Sequence, residues 1–431
     1  EHTGTQWDAP AHFVPPPDSG LPGAGPMGLI TGEKVPAWQF CGEACVIDIS
    51  EHIDEAKDGE SYLIGPGIVQ AWEKNNRPLK FGDVVLFRSH YSDRYYKPFP
   101  AGERFVTSAV REDAAGWRAR TPETMQYLGG KGVKTLGLDG ASMGPLPNLA
   151  VATHQAGGKL GMIWTECATN LGSLPTTGAF YALLPAKHAG GSGGECRCIG
   201  ITEPKLAARL IESARNKRIA DLSVTLHEDF PITWPGHSPG DEASRYVGKV
   251  LNAFSAIRGP YFAMTHMLDG QAGTHVVLRT KFESQCGKRG NSSLTIDAMP
   301  LEQTLGEVHV IDVRKLIGTT KSSEWPASPQ ITLELVKQHE ATRPIRAGEV
   351  VIFFSGYSDE HFKPLPASPD LDRLMAAPLV GKAEGWPAAT PEVIAYLSKK
   401  GVRCIGTDGP TIGGVTRENA LFVNWIAAQQ G

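Results

Sequence analysis

The sequence predicts a mixed α/β protein built from two copies of one unit. Three observations carry this. The chain has 431 residues, more than one hydrophobic core usually supports. One half repeats the other in colinear order. Within each copy, short apolar β-branched runs alternate with helix-like segments, as in α/β folds.

The repeat is read directly. GDVVLFRSHYSDRYYKP (82–98) returns as GEVVIFFSGYSDEHFKP (348–364), and GEACVID (42–48) as GEVHVID (306–312). Gly116-Trp117 and Thr121-Pro122-Glu123 return as Gly385-Trp386 and Thr390-Pro391-Glu392, and KGVKTLGLDG (131–140) returns as KGVRCIGTDG (400–409). Gly82–Arg88 and Gly348–Phe354 read as buried strands entered from a turn. Thr121 and Thr390 read as N-caps followed by proline at the first helical position. Those helices end near Gly129-Gly130 and at Lys399, and strands Val133–Leu138 and Val402–Thr407 follow. Asn148–Gln155 looks helical and ends at Gly157-Gly158, and Leu160–Thr165 is a strand leading to Glu166. Pro204–Arg218 is an amphipathic helix, and Ile219–Leu226 a strand that opens the second copy. The expected domains are 1–205 and 206–431. The first copy begins at its own equivalent of residue 270, so one strand-bearing segment is expected to precede the sequence given.

Composition narrows the classes. The net charge is −4 with no basic tract, which gives a nucleic-acid partner no electrostatic support. No run approaches eighteen apolar residues, which excludes a conventional membrane-spanning helix. Seven cysteines without zinc-finger spacing suggest free thiols in a reducing compartment, hence a cytoplasmic location. Cys196 and Cys198 read as two thiols flanking a strand residue.

The chemistry concentrates in EHTGTQWDAPAHF (1–13). His2, Gln6, Asp8 and His12 all occupy even positions, so an extended strand points them to one side. A polar set of this kind suits a metal with an adjacent base, or a hydrogen-bonded polar turn. The pattern resembles the H-x-G-T-H-x-D-x-P-x-H signature of the cyclase family, which includes bacterial kynurenine formamidases and isatin hydrolases. THQAGGKLGMIWTECATNL (153–171) is similar to that family's later His and Glu pair. The resemblance implies a swivelling β/β/α fold, a mixed barrel-like sheet flanked by helices, with the tandem copies forming a pseudo-dimer. It makes His2, Asp8, His154 and Glu166 ligands of one or two divalent cations, and His12 the base. Gln6 stands where the family more often has histidine. It binds the metal, orients a water or does neither, and its harder oxygen favours Mn2+ over Zn2+.

In the second copy the motif aligns with QAGTHVVLRTKF (271–282). His2 becomes Gln271, Asp8 becomes Val277, His12 becomes Lys281, and only His275 appears, at the place of Gln6. The counterpart of His154 is about Val423. No hydrolytic centre is expected there. Features shared by both copies, namely Tyr91-Ser92-Asp93, Lys97-Pro98, Gly116-Trp117 and Asp139-Gly140, are therefore expected to be scaffold. Arg88 and His90, opposite Phe354 and Gly356, are candidates to line a substrate pocket. Trp7 is another, while Trp38 and Phe40 read as core. Residues 14–28 are a Pro/Gly loop that forms a wall or lid. AGGSGGECRC (189–198) is a flexible hairpin rather than a phosphate loop, and HEDFPITWPGH (227–237) consists of turns and an aromatic core.

The expected function is metal-dependent hydrolysis of an amide or lactam C–N bond in a small aromatic or heterocyclic substrate. Its rivals are a lyase or cyclase using the same site, and a non-catalytic ligand-binding protein. The second copy is expected to lend a wall to the site, and pairing within the family leaves homo-oligomer formation open.

Overall fold

A computed structural model describes residues 1–51, 55–232, 246–255, 257, 259–268, 270–278, 296, 298–367 and 372–430. Lys281 and residues 233–237 of the 227–237 stretch lie outside them. The chain forms two compact units: Glu1–His227 with Val247–Met267, and Glu228–Tyr246 with Leu268–Gly431. Both are mixed α/β.

The first unit contains β1 (Gln6–Asp8), β2 (Cys41–Asp48), β3 (Leu63–Ile64), β4 (Asp83–Arg88), β5 (Ala119–Arg120), β6 (Thr135–Leu138), β7 (Ile163–Glu166), β8 (Ala179–Pro185), β9 (Gly193–Ile201), β10 (Val247–Asn252) and β11 (Ala263–Met267). Seven of them close a barrel in the order β1-β7-β6-β4-β2-β8-β9, and β9 pairs back onto β1. Strands β2, β4, β6 and β7 run parallel to their neighbours in that series, while β1, β8 and β9 pair antiparallel.

Strand periodicity explains why β2 and β4 read as continuous apolar runs. Ala44, Val46, Val84 and Leu86 join Trp7, Ile163, Tyr181 and Leu183 in one buried cluster. Their alternates Cys45, Ile47, Val85 and Phe87 pack beneath Val69 and Trp72 of helix Pro66–Asn75 and Met125 and Leu128 of helix Pro122–Gly130. Both faces are buried over these residues, so the charged side chains of the two strands, Glu43, Asp48, Asp83 and Arg88, fall near their ends. Thr121 caps its helix, its side chain accepting from the Thr124 N–H. Thr390 has the cap conformation without that bond.

Three expectations change. Helix Ala150–Lys159 runs through Gly157 and Gly158 instead of ending there. The glycines serve packing: a Cβ on Gly158 would lie 2.8 Å from Val14 Cγ2, and one on Gly157 would lie 2.5 Å from Met125 Cε. Gly158 lets the Pro10–Val14 segment press against the helix that carries His154, and Gly157 lets that helix seat on Met125 and Trp164. Ile219–Leu226 forms no strand; Leu226 makes a single bridge to His188. The preceding helix, Pro204–Arg215, packs Ala207, Ile211 and Ala214 on Cys41, Phe180 and Ile199 of the barrel. Its Arg215 also joins Arg77 on the carboxylates of Glu43 and Asp83. The glycine-rich stretch 189–198 runs from a turn straight into β9. Gly193 there admits no side chain, since a Cβ would meet the Trp7 carbonyl at 2.1 Å.

The second unit has β12 (Val308–Asp312), β13 (Gln330–Ile331), β14 (Val350–Phe354), β15 (Ala388–Ala389) and β16 (Cys404–Thr407). Its parallel sheet β12-β14-β16 reproduces β2-β4-β6, and the pair β13-β15 reproduces β3-β5. One polar clasp recurs with it. Asp139 accepts from the backbone N–H groups of Ser89 and His90 and from the Ser89 hydroxyl, and Asp408 does the same with Ser355 and Gly356. The Tyr91 and Tyr357 hydroxyls donate to equivalent carbonyls, of Phe105 and Leu374. Trp117 and Trp386 donate to the carbonyls of Gly144 and Thr411.

Among the described residues no helix is long and apolar enough to cross a membrane, and six cysteines carry free thiols. Cys196 and Cys198 both lie on β9 with sulfurs 3.8 Å apart. Trp38 packs on Phe81, and Phe40 sits edge-on to Trp7. Trp7 itself is 1% exposed in the barrel interior, on the opposite side of β1 from its even-numbered neighbours. Trp7→Ala is therefore expected to destabilise the chain by about 3–5 kcal/mol, as loss of a large core side chain does. Denaturant unfolding measures it.

Candidate metal centre

Strand β1 is only three residues long, yet it sets the site. Gln6 stands opposite Glu166 of β7 in the antiparallel register, and Asp8 is opposite Trp164. The chain then turns through Pro10–His12 in a 3-10 turn that returns His12 towards Asp8. Helix Ala150–Lys159 delivers His154 from the other side. His2, Asp8 and His12 offer ligand atoms all within 4.8 Å of one another, and so do Asp8, His154 and Glu166. Asp8 belongs to both groups.

The donor atoms are held in place. Trp164 Nε1 donates to Asp8 Oδ2 at 2.8 Å, and the Met143 N–H donates to Glu166 Oε1 at 2.6 Å. His154 Nδ1 lies 2.6 Å from the Ala150 carbonyl. A carbonyl only accepts, so Nδ1 carries a hydrogen; in the neutral ring Nε2 is then the lone-pair nitrogen, and in the protonated ring it donates towards the carboxylates. That Nε2 faces Glu166 Oε1 at 3.5 Å and Asp8 Oδ2 at 3.8 Å. His2 Nδ1 is 3.6 Å from Asp8 Oδ1, and His12 Nε2 is 4.0 Å from Asp8 Oδ2. The His2 and His12 rings stack at 4.1 Å. His2 is the most open member, while Asp8, His12, His154 and Glu166 are buried.

This set fits a divalent cation. Asp8 Oδ1 is buried without a hydrogen-bond partner, and lone pairs of imidazole and carboxylate converge on one space. Isolated buried carboxylates are costly. Here burial, and after it the charge of Glu166, push Asp8 well above the usual carboxylate range. Burial also acts to raise Glu166, but the hydrogen bond and charge of His154 with the Met143 N–H outweigh it, and its pKa is lowered. Burial, then the charges of His2 and His154, push His12 well below the ordinary imidazole value. Carboxylates and imidazoles in this proportion suit first-row divalent metals, and the backbone and Trp164 bonds behind them are the outer support such ligands need.

Gln6 belongs to the same cluster in a different capacity. Its Nε2 donates to Glu166 Oε2 at 3.0 Å and lies 3.2 Å from His2 Nδ1. In this orientation it holds Glu166 and turns its N–H side, not its oxygen, inward. The three candidates for substrate contact are not gathered here. Trp7 is in the barrel core. Arg88 pairs with Asp48 at 2.6 Å at the end of β4. His90 is exposed, 3.2 Å from Asp93, with a left-handed backbone (φ 61°) where the second copy has Gly356 (φ 70°). Asp93 does line a cleft of about 290 Å³, together with Thr5, Ser92, Tyr96, Cys167 and Thr169. Thr5 and Cys167 adjoin Gln6 and Glu166 in the chain, so the cleft neighbours the cluster.

Several contributors are not apparent in the motif. Trp164 and Met143 position carboxylates, and Trp164 lay in view two residues before Glu166. Arg120 is fully buried, with its guanidinium 4.8 Å from the Phe87 ring and burial lowering its pKa to about 9. Its place in the second copy is taken by Ala389, which was the available signal. Ser192 and Phe262 touch His12: Ser192 Oγ is 3.5 Å and the Phe262 carbonyl 2.6 Å from its Nδ1.

The chain is 23% identical over 210 residues to an isatin hydrolase of Roseibium aggregatum, covering 47% of this chain and 72% of that protein. Among solved structures, isatin hydrolase A from Ralstonia solanacearum is 29% identical, with a TM-score of 0.39 over 47% of this chain and 73% of the other. Isatin hydrolase A from Labrenzia aggregata, bound to benzyl benzoate, is 24% identical, with a TM-score of 0.38 over 47% and 74%. Two stretches, residues 1–145 and 220–413, match the model of one family, and on that match the chain belongs to the Cyclase family.

Proposed function

We propose that the chain hydrolyses an amide or lactam C–N bond in a small aromatic or heterocyclic substrate, at a divalent-metal site in its first unit. The observation that carries the reading is the convergence of Asp8, His154 and Glu166, with an unpartnered carboxylate oxygen, beside the lone pair of His12. Family membership and the similarity to an isatin hydrolase support the reaction class.

In this reading His2, Asp8, His154 and Glu166 hold the cation, and Gln6 steadies Glu166. Manganese is favoured over zinc because carboxylate oxygens make up half of the set. A bound divalent cation supplies Lewis acidity, polarising the scissile carbonyl and acidifying water. His12, hydrogen-bonded through Nδ1, keeps Nε2 free to take a proton from the attacking water. The new C–O bond forms as the C–N bond breaks, and His12 returns the proton to the leaving nitrogen. The products are a carboxylate and an amine. The cleft between Thr5 and Cys167 is the route of approach, with His90 beside it through Asp93.

Three outcomes test this. Elemental analysis of the full chain should find about one or two manganese or zinc ions, lost in Asp8→Ala; absence of metal after incubation with either would sink the reading. His12→Ala should keep the metal while lowering kcat about 10²–10⁴-fold on a lactam or N-formyl aromatic amine, the range for loss of an acid–base group. In water enriched in ¹⁸O the label should enter the carboxylate, and a product without it would make the enzyme a lyase or cyclase. The pH profile has a defined sign. The base works neutral, and burial with neighbouring imidazoles lowers the His12 pKa. Activity should therefore be full near neutral pH, and its acid limb in kcat/KM should fall below pH about 6.5, the unperturbed histidine value. A limb above that value would show that another group sets the profile.

A further inference from the structure

We infer that β10, β11 and the residues Tyr261 and Phe262 that lead into β11, far along the chain from the ligand motif, belong to the catalytic apparatus. The backbone carbonyl of Phe262 is the positioning group that fixes the proton of His12 on Nδ1. The inference rests on the reading of His12 as the base. It adds an assignment that neither the motif nor the first matching stretch, residues 1–145, contains.

The contact is reciprocal. His12 Nδ1 lies 2.6 Å from the Phe262 oxygen, and the Phe262 N–H donates to the His12 carbonyl at 2.8 Å. The oxygen has no hydrogen to give, so the short contact requires the imidazole hydrogen on Nδ1. A neighbouring hydroxyl reaches the same oxygen, which has two lone pairs and can accept from both donors: Ser192 Oγ lies 2.8 Å from it. That hydroxyl is also 2.7 Å from Glu1 Oε2. A serine has one hydrogen, and a carboxylate is the stronger acceptor. Whether Ser192 serves it or Glu1, the Phe262 oxygen keeps a lone pair for His12.

The segment is held there by several independent contacts. Glu1 Oε2 accepts the Met264 N–H at 2.7 Å, and Glu1 Oε1 accepts the Ser192 N–H at 2.8 Å and lies 3.3 Å from His266 Nε2. The His266 ring stacks on His188 at 3.9 Å. Asn252 Nδ2 donates to the Tyr261 carbonyl at 2.6 Å, tying β10 to the residue before Phe262. The Tyr261 ring closes over His12 and Phe13, at 5.8 and 6.0 Å. Without this carbonyl a neutral imidazole is free to carry its hydrogen on Nε2, where it cannot accept a proton from water.

The test uses the full chain labelled with ¹⁵N-histidine and loaded with diamagnetic zinc. Imidazole nitrogen shifts report the tautomer, with the His12 signals identified by their loss in His12→Gln. Two variants loosen the contact without touching a metal ligand. Phe262→Pro removes the N–H that pairs with His12, and Asn252→Ala releases the Tyr261 carbonyl. The expected result is a Nδ1–H tautomer in the parent chain and a mixture in the variants. Metal content should hold, KM should stay nearly unchanged and kcat should fall about 10–100-fold, the usual cost of losing an outer partner. Should Phe262→Pro lose its metal or its cooperative unfolding, Asn252→Ala decides. A Nε2–H tautomer in the parent, or variants that keep both tautomer and kcat, overturns the inference. If the parent hydrolyses no amide, the functional reading fails on its own, while the tautomer still judges the contact.

Discussion

Two acidic side chains buried against one another govern the first unit. Asp8 and Glu166 come from adjacent strands and are 1% and 3% exposed. Such a pair repels, and neither is left to water. The surroundings answer this group by group: Trp164 and the Met143 N–H donate to one carboxylate each, Gln6 bridges to Glu166, and three imidazoles surround the pair. The result separates the two acids, one held up and the other held down in pKa. Protein donors do not complete the compensation, because Asp8 Oδ1 is left over. That leftover oxygen is the acceptor a cation would take, and Gly158 lets the helix that carries His154 lie close against Pro10 and Val14.

The second unit separates framework from chemistry. It keeps the parallel strands, the short outer pair and the aspartate that ties the end of β14 to that of β16. These parts define how the chain folds locally, and they persist where Asp8 and His12 have become Val277 and Lys281. What differs is specific. Arg88 stands opposite Phe354, Arg120 opposite Ala389, and His90 takes a left-handed conformation at a position that Gly356 occupies at no steric cost. Of these, Arg88 pairs with Asp48 and His90 with Asp93, away from the candidate centre, and Arg120 packs on Phe87.

How much of this the sequence carried follows from the range of each interaction. The even spacing of His2, Gln6, Asp8 and His12 is a local signal, but the strand period carried only Gln6 and Asp8 to one face; His2 reaches the site from a bend at Thr3–Thr5 before the strand, and His12 by a turn after it. The same period placed Trp7 on the opposite face, against an expectation that had followed its chemistry rather than its parity. Strands β2, β4 and β6 were legible because burial on both faces leaves an unbroken apolar run. Ile219–Leu226 had the composition of a strand but no neighbouring edge to pair with, and Gly157-Gly158 read as a stop because close packing leaves the same residue as helix termination does. Phe262 was beyond reach. It acts through its backbone, which any residue supplies, across 250 positions of chain.

Strand β1 is the stave that closes the barrel, joining β7 on one side and β9 on the other. It is also the piece that carries Asp8. The two duties share three residues, so a substitution there is judged by the architecture as well as by the reaction. In the second unit the aligned residues 271–278 form no strand. A change that loosens this stave therefore opens the seam of the barrel and moves the carboxylate in one stroke.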